Sequence, residues 1–520
     1  MLIGDIVYNH AQNYPDKTAI ITENARFTWK DFNSRINSLA HALLDLGLNK
    51  GDRAAILAQN GNEAAEFQLA VAKAGVIGTA INYRLLPEQI ALQINDCQPG
   101  ILLVQDKYVN SVEAIRSSIS PDITFVSIGD TEIYPLNYES LIKNYPSTEP
   151  RLKLNEDDPY MIVYTSGTTG WVKGVIRTHR NRFIHAVQDN VLSRIGSNDV
   201  YVIGGPLFAA GAQFRFYDAL YGGCAMIIYT FSPELWAQFV EKERVTAASM
   251  TLIRYDRIRE YLDHCDRKYD LSSLTKILMG GGASQSGERV RDICRFFNVK
   301  FCSKCYASTE TGFPIVFLPE EIASGLEPDA PEEDIRKLDA MGRARFCEAR
   351  IVDDEGHDVA TGQVGELWFR GDGIFPGYWN KPELNQTALA EGWYHTQDLA
   401  HQDEDGLIYF AGRKDLMIKT GGFNVYPEEV EAVIARHPAV VETAVFGVEH
   451  AEWGEQVTAA VVLKEGETAS EDDIKQHCRR HLSGFQVPKV VHFLDRLPAA
   501  ETMIKISRME LRRMFGKGDS

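Results

Sequence analysis

The chain of 520 residues carries 72 acidic against 54 basic side chains, and its net charge of −18 argues against a nucleic-acid binder, which needs a basic face. That length exceeds what one hydrophobic core organises and predicts two or three domains, and a hydrophobic content of 44% is ordinary for a globular protein. No run of 18 apolar residues occurs, no basic-then-apolar leader opens the chain, and Lys517-Gly518-Asp519-Ser520 is no sorting signal, so a cytoplasmic protein without a transmembrane segment is expected.

The eight cysteines are scattered, and Cys302 with Cys305 lacks a second pair at zinc-site spacing. Free thiols in a reducing compartment are expected.

From residue 1 to about 160, helix-like and strand-like segments alternate, which predicts an α/β layer. Thr18–Thr22 and Arg53–Leu57 read as strands, and Thr28 caps a helical pattern that buries Phe32, Ile36, Leu39 and Leu43. The small-residue run Ala70–Gly78 suits close packing of a helix on a sheet.

Next comes Met161-Ile162-Val163 and then the densest motif of the chain, Tyr164 to Val175. It holds the hydroxyls of Thr165, Ser166, Thr168 and Thr169, the glycines Gly167, Gly170 and Gly174, and Lys173. Glycines turn backbone N–H groups inward, hydroxyls add donors and lysine adds a mobile charge, so the composition is that of a polyanion cradle with phosphate as its guest. It is not a Walker A loop, because Lys173 stands between Val172 and Gly174 and the following Val175-Ile176-Arg177-Thr178 reads as a strand. The loop is therefore expected to join two strands.

Further on, the strand-like Lys276–Met279 runs into Gly280-Gly281-Gly282, followed by a helix with Val290, Ile293, Cys294 and Phe297 on one face. Glycines at a strand's carboxyl end let a flat ring or nucleotide approach the backbone, although GxGxxG spacing is absent. Between about 341 and 412 the pattern changes to short strands and turns, at Arg350-Ile-Val, Gly365-Glu-Leu-Trp-Phe and Gly406-Leu-Ile-Tyr-Phe. Beyond Gly412 a glycine pair, Gly421-Gly422, precedes Pro427-Glu428-Glu429, which reads as the start of a helix with acids at its positive end.

The cradle, together with Pro206-Leu207-Phe208-Ala209-Ala210-Gly211, Tyr306-Ala307-Ser308-Thr309-Glu310, Thr396-Gln397-Asp398, Gly412-Arg413-Lys414-Asp415 and Lys505-Ile506-Ser507-Arg508, resembles the adenylate-forming superfamily over nearly the whole chain. The branch it resembles is that of acyl-CoA synthetases and aryl-CoA ligases. The resemblance implies an α/β fold: a large N-terminal adenylation domain over 1–412, with a small β-rich subdomain at about 341–412, and a mobile α+β C-terminal domain over 413–520. It implies ATP-dependent activation of a carboxylic acid through an acyl-adenylate, then transfer to coenzyme A.

Residue by residue, it implies that Thr165, Ser166, Gly167, Thr168, Thr169, Gly170 and Lys173 hold phosphates. Gly281, Gly282 and Tyr306 meet adenine. Thr309 reaches a phosphate oxygen, Glu310 holds Mg²⁺, and Asp398 with Arg413 takes the ribose. Phe208 and Ala209 line the acyl pocket, where the small Ala209 leaves room for a wide or ring-containing acid. Asp415 is a hinge, Lys505 the adenylation lysine, and Lys419 with Gly421 and Gly422 serves thiol access. Asn82-Tyr83-Arg84-Leu85 resembles a further segment without an assigned role, in which Arg84 reads as a solvated structural arginine or as an anion contact.

The chain departs from the pattern at Gln397, where glycine is usual, and before Lys505, where Ile504 replaces glycine and six residues rather than five follow Leu497-Pro498. Two alternatives stay open: loading of a carrier-protein thiol, and a catalytically weakened nucleotide-binding protein. The sequence leaves the acid and the oligomeric state open, a homodimer included.

Overall fold

The computed structural model describes residues 1–130, 133–166, 172–280, 286–498 and 508–516. They form two compact units, one of residues 1–349 and 369–394, the other of residues 350–368 and 395–520.

The first unit contains two large sheets. In the seven-stranded sheet, Leu136–Asn137, Thr124–Ile128, Ile101–Gln105, Arg53–Leu57, Ile77–Ala80 and Pro159–Ser166 run parallel in that spatial order. Val172–Thr178 closes it as an antiparallel edge. The nine-stranded sheet has a parallel centre of Phe301–Ser308, Lys276–Met279, Ala247–Met250, Val200–Ile203, Ala225–Ile228 and Thr18–Ile21. Its flanking strands Gly312–Phe317, Arg343–Ala344 and Arg26–Thr28 are antiparallel.

One core cluster joins residues of both sheets through the helices Ile3–Asn13, Trp29–Asp45, Asn62–Ala74 and Ala210–Gly222. Every residue of Asn62–Ala74 except Glu63 is buried, which explains its alanines: a helix packed on all sides needs small side chains. Gly75 ends it in left-handed backbone, φ +67°, and the chain turns directly into Ile77–Ala80. Thr28 caps Trp29–Asp45 by accepting from the Asp31 N–H, and Phe32, Ile36, Leu39 and Leu43 are buried as their spacing predicts.

The second unit carries a five-stranded sheet ordered Phe423–Val425, Ile418–Thr420, Gly454–Leu463, Val440–His450, with Val490–Phe493 parallel to Gly454–Leu463. Helices Pro427–Ile434 and Glu471–Arg479 contribute Val430, Ile434, Ile474 and Cys478 to its core. All eight cysteines are unpaired and none is exposed. Among the described residues no helix is long and apolar enough to cross a membrane.

Candidate active site

Strand Pro159–Ser166 is apolar because it is buried: Tyr160, Met161, Ile162 and Val163 are at most 2% exposed. It returns as Val172–Thr178 in antiparallel register, Thr165 opposite Lys173, so the hydroxyl–glycine loop joins two strands as expected. The Thr165 Oγ1 donates to the Lys173 carbonyl at 3.4 Å. Gly167, Thr168, Thr169 and Gly170 lie outside the described residues, as do Gly281, Gly282 and Lys505.

A second segment lies along the returning strand. The Trp379 N–H donates to the Gly174 carbonyl at 2.7 Å and the Ile176 N–H to the Gly377 carbonyl at 3.1 Å, with Val175 bridged to Tyr378. Tyr378 is one residue that sequence reading missed. Lys173 Nζ stands 5.8 Å from its ring centroid, and its hydroxyl donates to Glu310 Oε1 at 2.9 Å. The Phe375 N–H donates to the Glu310 carbonyl at 2.9 Å. Lys173, Tyr378 and Glu310 are thus brought together by three separate stretches of chain. The signal for Tyr378 was present as Pro376-Gly377-Tyr378, but nothing in that tripeptide names its partner.

Glu310 sits between strands Phe301–Ser308 and Gly312–Phe317, in a turn held by mutual bonds between Ser308 and Thr311 at 3.0–3.2 Å. Gly312 has φ +68°, and a methyl group there would collide with the buried His185 ring, so the turn requires glycine. Tyr306 is buried, its ring 5.9 Å from that of Phe369, and Thr309 is half-buried. Behind Glu310 stands Arg177, a second residue the sequence reading passed over. It is fully buried, and its guanidinium nitrogens have no hydrogen-bond partner among the described residues. Burial and neighbouring Arg182 push its pKa down to about 9, while the Glu310 charge pulls it up. Arg177 therefore stays cationic at neutral pH and supports a carboxylate or phosphate nearby.

No group of three or more metal-ligating side chains occurs among the described residues. A single accessible carboxylate fits a magnesium ion held mainly by phosphate and water, and does not fit a structural zinc site.

Phe208 is buried and meets the Tyr83 ring edge-on at 5.1 Å, with the Arg84 guanidinium 6.0 Å from its centroid. Ala209 occupies the N-cap position of Ala210–Gly222 and offers no side-chain cap, so it does not help to start that helix.

In the second unit, strands Tyr394–Gln402 and Ile408–Arg413 pair Asp398 with Arg413, and Arg413 Nη1 donates to Asp398 Oδ1 at 2.9 Å. Arg413 Nε donates to Asp415 Oδ1 at 3.1 Å. Burial would lower the Arg413 pKa, but the two aspartates outweigh it and raise it. Lys419 is exposed, and its N–H donates to Glu455 Oε2 at 2.9 Å. Gly421 and Gly422 are the two central residues of a tight hairpin, with φ +56° and +83°, which side chains resist. Helix Arg508–Phe515 is anchored at its first residue: Arg508 clamps both oxygens of Glu431 at 2.7 and 2.8 Å and donates to the Val445 carbonyl at 3.1 Å.

Residues 7–379 match the family described as AMP-binding enzyme, and residues 429–502 match the AMP-binding enzyme C-terminal domain. The chain is 29% identical over 521 residues to the indoleacetate–CoA ligase of Aromatoleum aromaticum, covering 99% of both chains. It is 29% identical over 517 residues to a feruloyl-CoA synthase of Amycolatopsis, again with 99% of each covered. Among solved structures it is similar to the o-succinylbenzoate CoA synthetase of Bacillus subtilis in complex with the acyl-adenylate intermediate OSB-AMP. That similarity has a TM-score of 0.82 and 27% identity, over 98% of this chain and 97% of that one.

Proposed function

This chain belongs to the family of AMP-binding enzymes, and from that premise we propose how its own residues divide the work of an acid–thiol ligase. The reaction is ATP-dependent activation of a carboxylic acid followed by transfer to coenzyme A. In the first half a carboxylate oxygen attacks the α-phosphorus of ATP, the bond to pyrophosphate breaks, and acyl-adenylate forms. In the second half the sulfur of coenzyme A attacks the acyl carbonyl, the bond to AMP breaks, and acyl-CoA leaves.

The observation that carries this division is the convergence of Lys173, Tyr378 and Glu310. The first half-reaction brings two anions together, so positive charge must be fixed where repulsion peaks. Lys173 and the loop from Thr165 to Gly170 hold the outer phosphates, and Tyr378 holds the Glu310 carboxylate in place. Glu310, together with the phosphates, would hold a magnesium ion, which when bound would supply further neutralising charge. Tyr306, Gly281 and Gly282 receive adenine, and Asp398 with Arg413 receives the ribose. Lys505 supplies the last cation, at the reacting α-phosphate, with Arg508 fixing the start of the helix that follows it.

For the second half, the chain beyond Asp415 turns about that residue. Lys505 leaves, and Lys419 with Gly421 and Gly422 arrives where the thiol must pass. The large domain of this reading is 1–412, the mobile one 413–520, and the protein works in the cytoplasm. The acid lies against Phe208 and Ala209.

Pyrophosphate release from ATP across a panel of aliphatic and aryl acids tests the assignment. Release with a subset of acids is expected in the parent, and Lys505→Ala is expected to lower its rate about 100- to 1,000-fold while ATP still binds. Adenylate formation by Lys505→Ala at the parental rate would remove the lysine from the mechanism, and silence across the whole panel would favour a purely nucleotide-binding protein.

A further inference from the structure

Resting on the reading that the loop around Phe208 faces the bound acid, we infer that this acid carries a second carboxylate and that Arg254 holds it. Strands Val200–Ile203, Ala247–Met250 and Lys276–Met279 are parallel neighbours in the nine-stranded sheet. Their carboxyl ends open into Gly204–Ala209, Thr251–Arg254 and Gly280, the edge at which parallel sheets take their ligands. Arg254 lies in the first turn of helix Leu252–His264, which is capped by Thr251.

Its side chain reaches the loop that leads to Phe208. A methyl group on Gly205 would stand 2.9 Å from Arg254 Nη2 and 2.8 Å from the Ala212 Cβ, so glycine there leaves both their space, while one on Gly204 would make an ordinary contact of 3.7 Å with Nε. The ring of Phe231 is flanked by Arg254 at 5.9 Å and by Arg257 at 5.5 Å.

The guanidinium is under-used by the protein itself. Its one side-chain hydrogen bond among the described residues is a long contact of 3.4 Å from Nη1 to Ser249 Oγ, and it makes no ion pair among them. The groups that act on it are the phenols of Tyr229 and Tyr201, which carry no charge at neutral pH, and the cations Arg84 and Arg215. Arg215 is neutralised by buried Asp189, whereas Arg84 makes no ion pair among the described residues. Burial shifts the Arg254 pKa downward without bringing an arginine near neutrality.

A half-buried cation with most of its five donors unspent, in a chain whose net charge is −18, lacks the counter-charge that such positions normally carry. A carboxylate matches its fork geometry with two parallel hydrogen bonds. A dicarboxylic acid supplies it: one carboxylate reacts with ATP and the other is held by Arg254.

The test compares dicarboxylic acids with their monoesters and with monocarboxylic acids of equal length, by pyrophosphate release, in the parent, Arg254→Met and Arg254→Lys. The parent is expected to favour a diacid over its monoester by about 100-fold in kcat/KM. Arg254→Met is expected to abolish that preference while leaving the monoester rate within a few-fold, and Arg254→Lys to retain part of it. ATP binding and melting temperature verify that each variant folds, and should Arg254→Met fail to fold, the parent's preference and Arg254→Lys still decide. Equal or better turnover of monoacids by the parent overturns the inference, as does an equal loss on both substrates in Arg254→Met. Release with monoacids alone leaves the ligase assignment standing, whereas silence with every acid overturns that assignment and the inference with it.

Discussion

At Gln397 the backbone has φ +63°, a conformation in which a β-carbon crowds the next carbonyl and costs roughly 1–2 kcal/mol. The departure from the expected glycine was legible in the sequence, but the strain was not, because φ leaves no mark on residue order. Gln397 offsets the strain locally: its N–H and its Nε2 both donate to Glu366 Oε1 at 3.1 Å, and Lys414 Nζ donates to Glu366 Oε2 at 3.1 Å. Gln397→Ala keeps the strain and loses the amide bond, so a loss of about 1 kcal/mol is expected. Gln397→Gly loses the same bond but sheds the strain, and should exceed the alanine variant in stability by about 1 kcal/mol. Urea midpoints of the two variants check the difference, and an alanine variant as stable as the glycine one would show that the backbone is unstrained there. Tyr378 is a harder case for sequence reading, since its two partners, Lys173 and Glu310, come from distant segments and no local pattern connects them.

Elements were more legible than the contacts between them. Composition and helical spacing placed the strands found at Thr18–Ile21 and Arg53–Leu57 and the helix Trp29–Asp45, and a proline followed by acids marked the start of Pro427–Ile434, because each is a local pattern. The pairing of Thr18–Ile21 with Ala225–Ile228 is long-range and was invisible. One such long-range contact makes stability depend on pH. His179 opens helix His179–Ser193, is fully buried, and accepts the N–H of Ile3 on Nδ1 at 3.2 Å. Burial lowers its pKa from 6.5 to about 4, so the folded chain holds a neutral ring while the unfolded chain takes up a proton below 6.5. The unfolded state then binds more protons, and stability, complete above pH 6.5, is lost as pH falls toward 4, by up to about 3 kcal/mol. Buried His185 is shifted in the same direction, so the parent has more than one contributor. Urea unfolding at pH 7 and pH 4.5 is expected to show a smaller acid loss in His179→Asn than in the parent, and equal losses would remove His179 as a source.

Over the whole molecule, a net charge of −18 works against binding ATP and coenzyme A, so in the proposed reading their capture falls to local cations such as Lys173 and Arg413. The two-step chemistry was legible because its motifs are short and ordered along the chain; the acid was not, because the side chains around Arg254 come together only through the sheet. The proposed rotation at Asp415 predicts a split phenotype. Asp415→Pro fixes φ near −65° and should leave adenylate formation within a few-fold while slowing thioester formation about 100-fold or more. Asp415→Ala, which loses the Arg413 contact but keeps backbone freedom, should slow it far less. Single-turnover reaction of preformed adenylate with coenzyme A measures this, and a proline variant reacting at the parental rate would place the pivot elsewhere.

The unpaired cysteines bear on this same intermediate. A mixed anhydride with AMP acylates any thiolate it meets, and only the thiolate is reactive. Burial drives Cys97 and Cys347 up to about 12, and Cys305 and Cys478 up to about 11, so at neutral pH these sulfurs stay protonated. Acylation of these four sulfurs by the adenylate is thereby disfavoured, which leaves the thiol of the incoming cofactor the better nucleophile.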